Sequence, residues 1–256
     1  MGRPCTRRLQ SWIAPHLRWN QAIWGETVCN YTAPSVRYLD AGCGWRLLGK
    51  DLEDIENEIV RVPRFCVGVD LDLPHLQKHR NISRRLQASL DSLPFPDGSF
   101  DLITCNMVAE HLPAPLVTFQ ELSRVLAPNG VLMIHTPNTR NYLVFANIIA
   151  KKILPRAWVL KMVGDGRAAD DIYPTYYRAN SASVLRKLGR SVNLEAEFVK
   201  CLIHPQPFAG FFAPLAALEL LMMRALMRPP LNRFGTTIVM VFRRQSTQAA
   251  DLKAAA

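Results

Sequence analysis

The sequence predicts an α/β fold, doubly wound around a mostly parallel sheet. Three observations carry that prediction. Short apolar strands alternate with helical patterns from 36 to 136, a glycine turn follows the first strand at Gly42-Cys43-Gly44, and the second strand ends on Asp70. The chain has 256 residues, 49% hydrophobic and 20% charged, enough to bury a full core and too apolar to be disordered.

The elements follow in order. Residues 1–35 form an N-terminal helical extension, with Trp12, Ile13, Trp19 and Trp24 broken up by Pro15, His16, Arg18 and Asn20. With that interruption no secretory signal is expected. A strand at 36–40 precedes a helix carrying Leu48, Leu52, Ile55 and Ile59 at helical spacing, with Asp51, Glu53, Asp54, Glu56 and Glu58 on its solvated face. A strand at 65–70, a polar helix at 74–85 and a strand at 100–105 come next. A helix over 116–126 is stopped by Pro128-Asn129-Gly130 and followed by a strand at 131–135. Late in the chain, a helix at 180–188, a strand at 194–201 and a final strand at 236–242 resume the pattern. Between them, 138–177 and 202–235 break the alternation and are expected to form a cap on one domain spanning 1–244, with 245–256 a disordered tail.

The net charge of +10 is uneven: residues 1–38 carry +4, 39–139 carry −4 and 140–256 carry +10. The basic excess thus surrounds an acidic centre and admits an anionic membrane surface, a phosphorylated substrate or nucleic acid as partner. Six scattered cysteines without a C-x-x-C pair read as reduced thiols in a cytoplasmic protein. The apolar stretch 208–227 contains Pro214, Glu219 and Arg224 and precedes the last strand, so it does not read as a span; the readings left open are an interfacial helix, peripheral on the inner face of a membrane, and a cap helix buried against the core or at a dimer contact.

The glycine turn suits a nucleotide-type cofactor, with Asp70 placed for a ribose diol. A dinucleotide fingerprint would carry a third glycine where Leu47 stands, and Asp40 at the strand end favours an ammonium over a pyrophosphate. S-adenosylmethionine has that ammonium, a ribose and no phosphate.

On these residues the chain resembles the class I S-adenosylmethionine-dependent methyltransferases, across most of 36–136. Leu39-Asp40-Ala41-Gly42-Cys43-Gly44 is similar to their first motif and Val67-Gly68-Val69-Asp70 to their second. Leu93-Pro94-Phe95-Pro96-Asp97-Gly98-Ser99-Phe100-Asp101, Glu110-His111-Leu112 and Arg124-Val125-Leu126-Ala127-Pro128-Asn129-Gly130 match later signatures of the small-molecule group, in the right order. The resemblance implies a Rossmann-like seven-stranded sheet and S-adenosyl-L-methionine as cofactor. It assigns Asp40, Gly42 and Gly44 to the methionine part, Asp70 to the ribose, Leu71, Ser89 and Leu90 to the adenine, and Asn106 to the cofactor wall. Arg46 stands where a third glycine is frequent and is expected to narrow or reshape the turn. Ser89 replaces a frequent Asp, with Asp91 two residues along.

His111 is the acid–base candidate, because an imidazole titrates near operating pH. The competing reading is that Glu110-His111 orders the loop. Related enzymes bind a divalent cation through Glu-x-x-Glu-His, but Met107 occupies the first acid's place here, so no metal is expected. Asp171-Ile172-Tyr173-Pro174-Thr175-Tyr176-Tyr177-Arg178-Ala179-Asn180 resembles a segment of methyltransferases acting on glycans, lipids and secondary metabolites. Tyr173, Tyr176, Tyr177 and Arg178, with His135, are the substrate-contact candidates; the alternative is a turn packed under the cap, with Asn180 or Ser181 capping a helix. The expected reaction moves a methyl group to a nucleophile, oxygen first, on a small molecule, lipid-linked intermediate or glycan. A non-catalytic scaffold and an RNA methyltransferase are the alternatives, the latter without a base-methylating motif in the sequence.

Overall fold

The computed structural model describes residues 4–153, 173–204 and 212–246. Two helices, α1 (Pro4–Ile13) and α2 (Asn20–Cys29), precede β1 (Arg37–Ala41). Then come α3 (Glu53–Arg61), β2 (Phe65–Asp70), α4 (Leu73–Lys78), β3 (Arg84–Gln87), β4 (Phe100–Asn106), α5 (Pro115–Val125) and β5 (Leu126–Pro137). After β5 follow α6 (Tyr142–Ile153), α7 (Ala182–Arg190), β6 (Leu194–Leu202), α8 (Ala213–Leu226) and β7 (Thr237–Arg244).

The seven strands form one sheet in the order β3-β2-β1-β4-β5-β7-β6, with β7 antiparallel to both of its neighbours and the other pairs parallel. Strand order reverses between β1 and β4, and a doubly wound sheet opens its ligand crevice at the carboxyl ends of such a pair. That reversal places the glycine turn after β1 beside Asn106–His111 after β4.

Alternation along β1 builds a core on both faces. Leu39 and Ala41 join Ile103, Phe119, Leu122 and Phe242 under α5 and α7. Tyr38 joins Trp24, Val28, Ile59, Leu102 and Met133 under α2 and α3. Each fully buried side chain of this size contributes about 1.5–3 kcal/mol of transfer free energy. Arg37 fixes the β1–β4 register: its backbone N and guanidinium donate to Asp101 at 2.8–2.9 Å. The guanidinium holds the Asp101 carboxyl below its ordinary range.

Three expectations are corrected. The polar helix over 74–85 ends at Lys78, and Arg84–Gln87 is the edge strand β3, paired with β2. The His79 ring turns the chain by accepting at Nδ1 from the amides of Asn81 and Ile82, at 3.3 and 3.2 Å. An edge strand with solvated arginines shows no apolar alternation, so its sequence conceals it. The helix after the glycine turn begins only at Glu53, and Glu56 is buried rather than solvated: its carboxylate accepts from the Leu47 amide at 3.2 Å. Pro128-Asn129-Gly130 lies inside β5, where the pairing with β4 shifts register between Phe100 and Leu102 and Asn129 takes φ 61°. Of the expected cap and tail, 154–172, 205–211 and 247–256 lie outside the described residues.

Two of the quoted motifs are a single bonded unit. The Arg124 guanidinium donates to the carbonyls of Leu93 and Phe95, and to the carboxylates of Asp97 and Glu121, all at 2.7–3.0 Å. Its own carbonyl accepts from Gly98 N at 3.0 Å. Arg124→Ala would strip two carbonyls and two carboxylates of their donor. It should lower stability by about 2–3 kcal/mol, read as a reduced denaturant midpoint at unchanged slope.

Candidate active site

Gly42 and Gly44 take φ 79° and 56°, a left-handed region that favours glycine. A Cβ on Gly42 would lie 2.4 Å from Val108 Cγ2, so the β4 loop closes directly onto the turn. A Cβ on Gly44 would meet nothing within 4 Å, which leaves open space over that residue. The turn's amides are already committed. Gly42 N and Cys43 N donate to Val69 O at 2.7 and 3.0 Å, and Gly44 N donates to Asp70 Oδ2 at 2.8 Å. None of these three remains for a pyrophosphate, and a carboxylate stands where its charge would go. The second Asp70 oxygen accepts from Asp72 N at 2.9 Å, so both oxygens are fixed and each keeps a lone pair. A half-exposed carboxylate held in this way suits a vicinal diol.

Asp40 is buried beneath the turn. Thr104 Oγ1 donates to it at 2.6 Å, which leaves the Tyr38 hydroxyl to donate to Thr104 at 2.7 Å. Burial, with Asp70 and Glu56 nearby, pushes the Asp40 carboxyl up to about 7. A cationic group at the turn would reverse that shift by stabilising the ionised form.

Leu71 stands beside Asp70 and is 65% exposed, an apolar platform next to the diol site. Ser89 is half-buried and accepts from Asp91 N at 3.2 Å, while Leu90 is buried in the core below. Asp91 is bonded by Thr118 of α5, so it is tied to the scaffold. Arg46 does not narrow the turn, since the space over Gly44 stays empty. Its guanidinium lies 4.2 Å from the Trp45 ring centroid, lining a polar pocket of about 190 Å³ with Glu53, Glu56, Asn57 and Arg80.

Asn106 is half-buried at the end of β4, and its amide is gripped from two sides. It donates to Leu47 O at 2.8 Å and exchanges bonds with the Gln21 amide of α2 at 2.9 and 3.3 Å. His135 is a correction. It is buried and stacked on Trp24 at 5.4 Å, with Nδ1 on Asn106 and Nε2 on Thr237. Burial pushes its pKa down to about 3, so the ring is neutral and structural and not exposed to a substrate. Gln21 and Thr104 are site residues that sequence reasoning missed; neither lies in a motif.

The segment 173–180 straps across the mouth. Tyr173 donates to Asp72, the N-cap of α4, and its ring meets His111 edge-on at 5.9 Å. The amides of Tyr176 and Tyr177 both donate to Glu110 O, at 2.8 and 3.2 Å, with Tyr177 at φ 53°. Arg178 donates to Pro113 O and lies 5.6 Å from the Tyr176 ring centroid. The buried Glu110 carboxylate accepts from Thr136, which accepts from Asn180. Ser181 caps α7. His111 Nδ1 lies 2.8 Å from Pro174 O. A carbonyl only accepts, so Nδ1 carries the hydrogen and Nε2 of the neutral ring carries the lone pair. The structure therefore gathers Asp70, Leu71, Tyr173 and His111 at one mouth. Tyr176, Tyr177 and Arg178 lie alongside, next to Glu110–Pro113.

Two predictions follow from the turn and from Asp40. Gly42→Ala should destabilise the fold by about 1–3 kcal/mol, from both the Val108 clash and the backbone angle, whereas Gly44→Ala should cost only the backbone strain; thermal melts compare them. Asp40 has a raised folded pKa, so its stabilising contribution is complete below about pH 4 and is lost as pH rises to about 7. Asp40→Asn should therefore gain on the wild type across that window and level off above it, in denaturant titrations run at each pH.

A methyltransferase domain model matches residues 39–134. A ubiquinone biosynthesis O-methyltransferase of Xanthomonas campestris is 32% identical over 114 residues, 41% of this chain and 44% of that protein. A probable S-adenosylmethionine-dependent methyltransferase of Mycobacterium tuberculosis is 35% identical over 124 residues, 47% of this chain and 42% of that one. The chain thus spans under half the length of these curated relatives. Among solved structures, an S-adenosylmethionine-dependent methyltransferase from Mesorhizobium loti aligns at TM-score 0.55 and 15% identity, covering 87% of this chain and 96% of the other. The [4+2]-cyclase SpnF aligns at 0.53 and 17%, covering 94% and 93%. At these identities the two show the fold alone, and the cyclase shows that the fold hosts more than one chemistry. Residues 39–134 thus match a methyltransferase domain, and the seven-stranded sheet that contains them has the fold of S-adenosylmethionine-dependent methyltransferases.

Proposed function

We propose that this protein transfers the methyl group of S-adenosylmethionine to an oxygen nucleophile on a small, partly apolar acceptor. The observation that carries the cofactor half is the commitment of all three turn amides, with the Asp70 carboxylate fixed at the mouth. Such a turn has nothing to offer a pyrophosphate and two anchored acceptors to offer a ribose. In this reading Asp70 takes the diol, Leu71, Ser89 and Leu90 border the adenine, and Asp40 with Gly42 and Gly44 accommodates the methionine end. Asn106 lines the wall under α2. Of the expected cap, the described residues 138–153, 173–177, 202–204 and 212–235 border the acceptor in this reading.

When bound, the cofactor supplies a methyl group already activated on a sulfonium. The chain's own task is then alignment and proton removal. His111 is held by its bond to Pro174 O, with Nε2 the nitrogen free to take a proton. It would remove the acceptor hydroxyl's proton as the oxygen–carbon bond forms and the methyl carbon–sulfur bond breaks, its electron pair leaving with the sulfur as a neutral thioether, and the proton would pass on to solvent at the half-exposed mouth. Tyr173, Tyr176 and Tyr177 offer aromatic faces to the acceptor, and Arg178 a cation. The Xanthomonas relatives, named as O-methyltransferases, support oxygen as the nucleophile and a small molecule as the acceptor.

Calorimetry tests the cofactor half: S-adenosylmethionine should bind and NAD should not, and the reverse would overturn the reading. Asp70→Ala should weaken cofactor binding by about 1.5–3 kcal/mol, or roughly 10- to 100-fold. His111→Ala should cut turnover strongly while cofactor affinity stays within about twofold. An unchanged rate would make His111 a loop-ordering residue. The acceptor itself is found by mass spectrometry of extracts, as a mass gain of one CH₂ that depends on enzyme and cofactor together.

A further inference from the structure

We propose that the outer faces of α6 and α8 dock this protein onto an anionic lipid bilayer. Helix α8 is apolar on two sides. Its inner side, Ala216, Leu220 and Met223, packs in the core, the last two with Ile13 and Leu17 of the N-terminal segment. Its outer side carries Leu215, Leu218, Leu221 and Met222 at helical spacing, with Leu218 62% and Leu221 52% exposed. Helix α6 extends this surface with Phe145, 57% exposed, and Ile149. The two helices are joined by the Tyr142 hydroxyl, which donates to Glu219 at 2.8 Å. A row of leucines turned to water on a helix already anchored by its other side has no folding purpose.

The charges around this face identify the occupant. Within 138–149 and 212–236 the basic residues are Arg140, Arg224, Arg228 and Arg233, all exposed. The one acidic residue there is Glu219, buried and bonded to Tyr142. Arg140 and Arg233 flank an open groove of about 490 Å³ whose floor is Tyr142, Phe145 and Phe234. An aromatic floor between two guanidiniums accepts a phosphate headgroup while the leucines enter the acyl boundary. A second copy of the chain would bring four more arginines against these four, which disfavours self-association. No helix among the described residues is long and apolar enough to cross a membrane, so the contact is peripheral. The face lies at the edge where β5 ends and β7 begins, next to the mouth after β4. A lipophilic acceptor could pass between them without crossing water.

The test uses the full chain and sedimentation with vesicles of phosphatidylcholine alone or mixed with phosphatidylglycerol. In low salt, binding to the mixed vesicles should be about tenfold tighter than to the neutral ones and should weaken as salt is raised. The double substitution Leu218→Glu and Leu221→Glu should abolish vesicle binding, and Arg140→Glu with Arg228→Glu should remove the anionic preference. Thermal melts and S-adenosylmethionine affinity, both unchanged, would show that the variants fold. Failure of the wild type to bind mixed vesicles would overturn the proposal. So would a dimer in light scattering that the leucine substitutions dissolve while vesicle binding is absent. The proposal is independent of the methyl-transfer reading: loss of cofactor binding with vesicle binding retained would reject that reading and leave this one standing.

Discussion

The hydrogen bond from the Gly44 amide to the Asp70 carboxylate organises the rest of the site. It ties the end of β1 to the end of β2 and orients the carboxylate at the mouth. The geometry is possible only because Gly42 and Gly44 take left-handed angles, and because Val108 fills the space a side chain at 42 would need. Two flanking amides are spent on Val69 O in the same closure. One local arrangement therefore commits the three amides of the turn and leaves a fixed carboxylate at the crevice. The parallel pairing of β1 with β4 then decides what stands opposite it.

Around this junction the molecule places two kinds of polar group. Asp70 and His111 are reachable and oriented by the backbone, through Gly44 N, Asp72 N and Pro174 O. His135 and Glu110 are buried and hold elements together, through Asn106 and Thr136 respectively, and Asp40 is buried beneath the turn, bonded by Thr104. The buried thiols belong with the second kind: burial pushes Cys43, Cys66 and Cys105 up, which leaves them inert at neutral pH. The division explains why β4 and β5, paired side by side, deliver one histidine to the mouth and keep another in the core.

Most of the sheet was legible because its strands are apolar and its helices amphipathic. Strands β1, β2 and β4 stand within a residue of their expected limits, and β7 within two. The exception, β3, is written in arginine and glutamine, and only its pairing with β2 makes it a strand. The turn was legible where motifs name residues by position: the two glycines take left-handed angles and Gly44 meets Asp70. It was not legible where function depends on which way a side chain turns. His135 ends an inward-facing run of β5 and reads as a pocket residue, but Trp24 covers it. Glu56 sits among acids that read as solvated, yet the late start of α3 brings it under Leu47. Gln21 lies outside every motif, and its contact with Asn106 spans 85 residues of sequence.

The strap at 173–178 is fastened largely through main-chain oxygens: Glu110 O receives two of its amides, Pro113 O receives Arg178, and Pro174 O receives His111. Every amino acid carries such an oxygen. These main-chain bonds do not depend on the side chain of Tyr176, whereas Tyr173 is itself tied to Asp72 through its hydroxyl. A strap held mainly by main-chain oxygens can thus change its outward side chain at 176 by ordinary point mutation while the turn behind it keeps its own bonds.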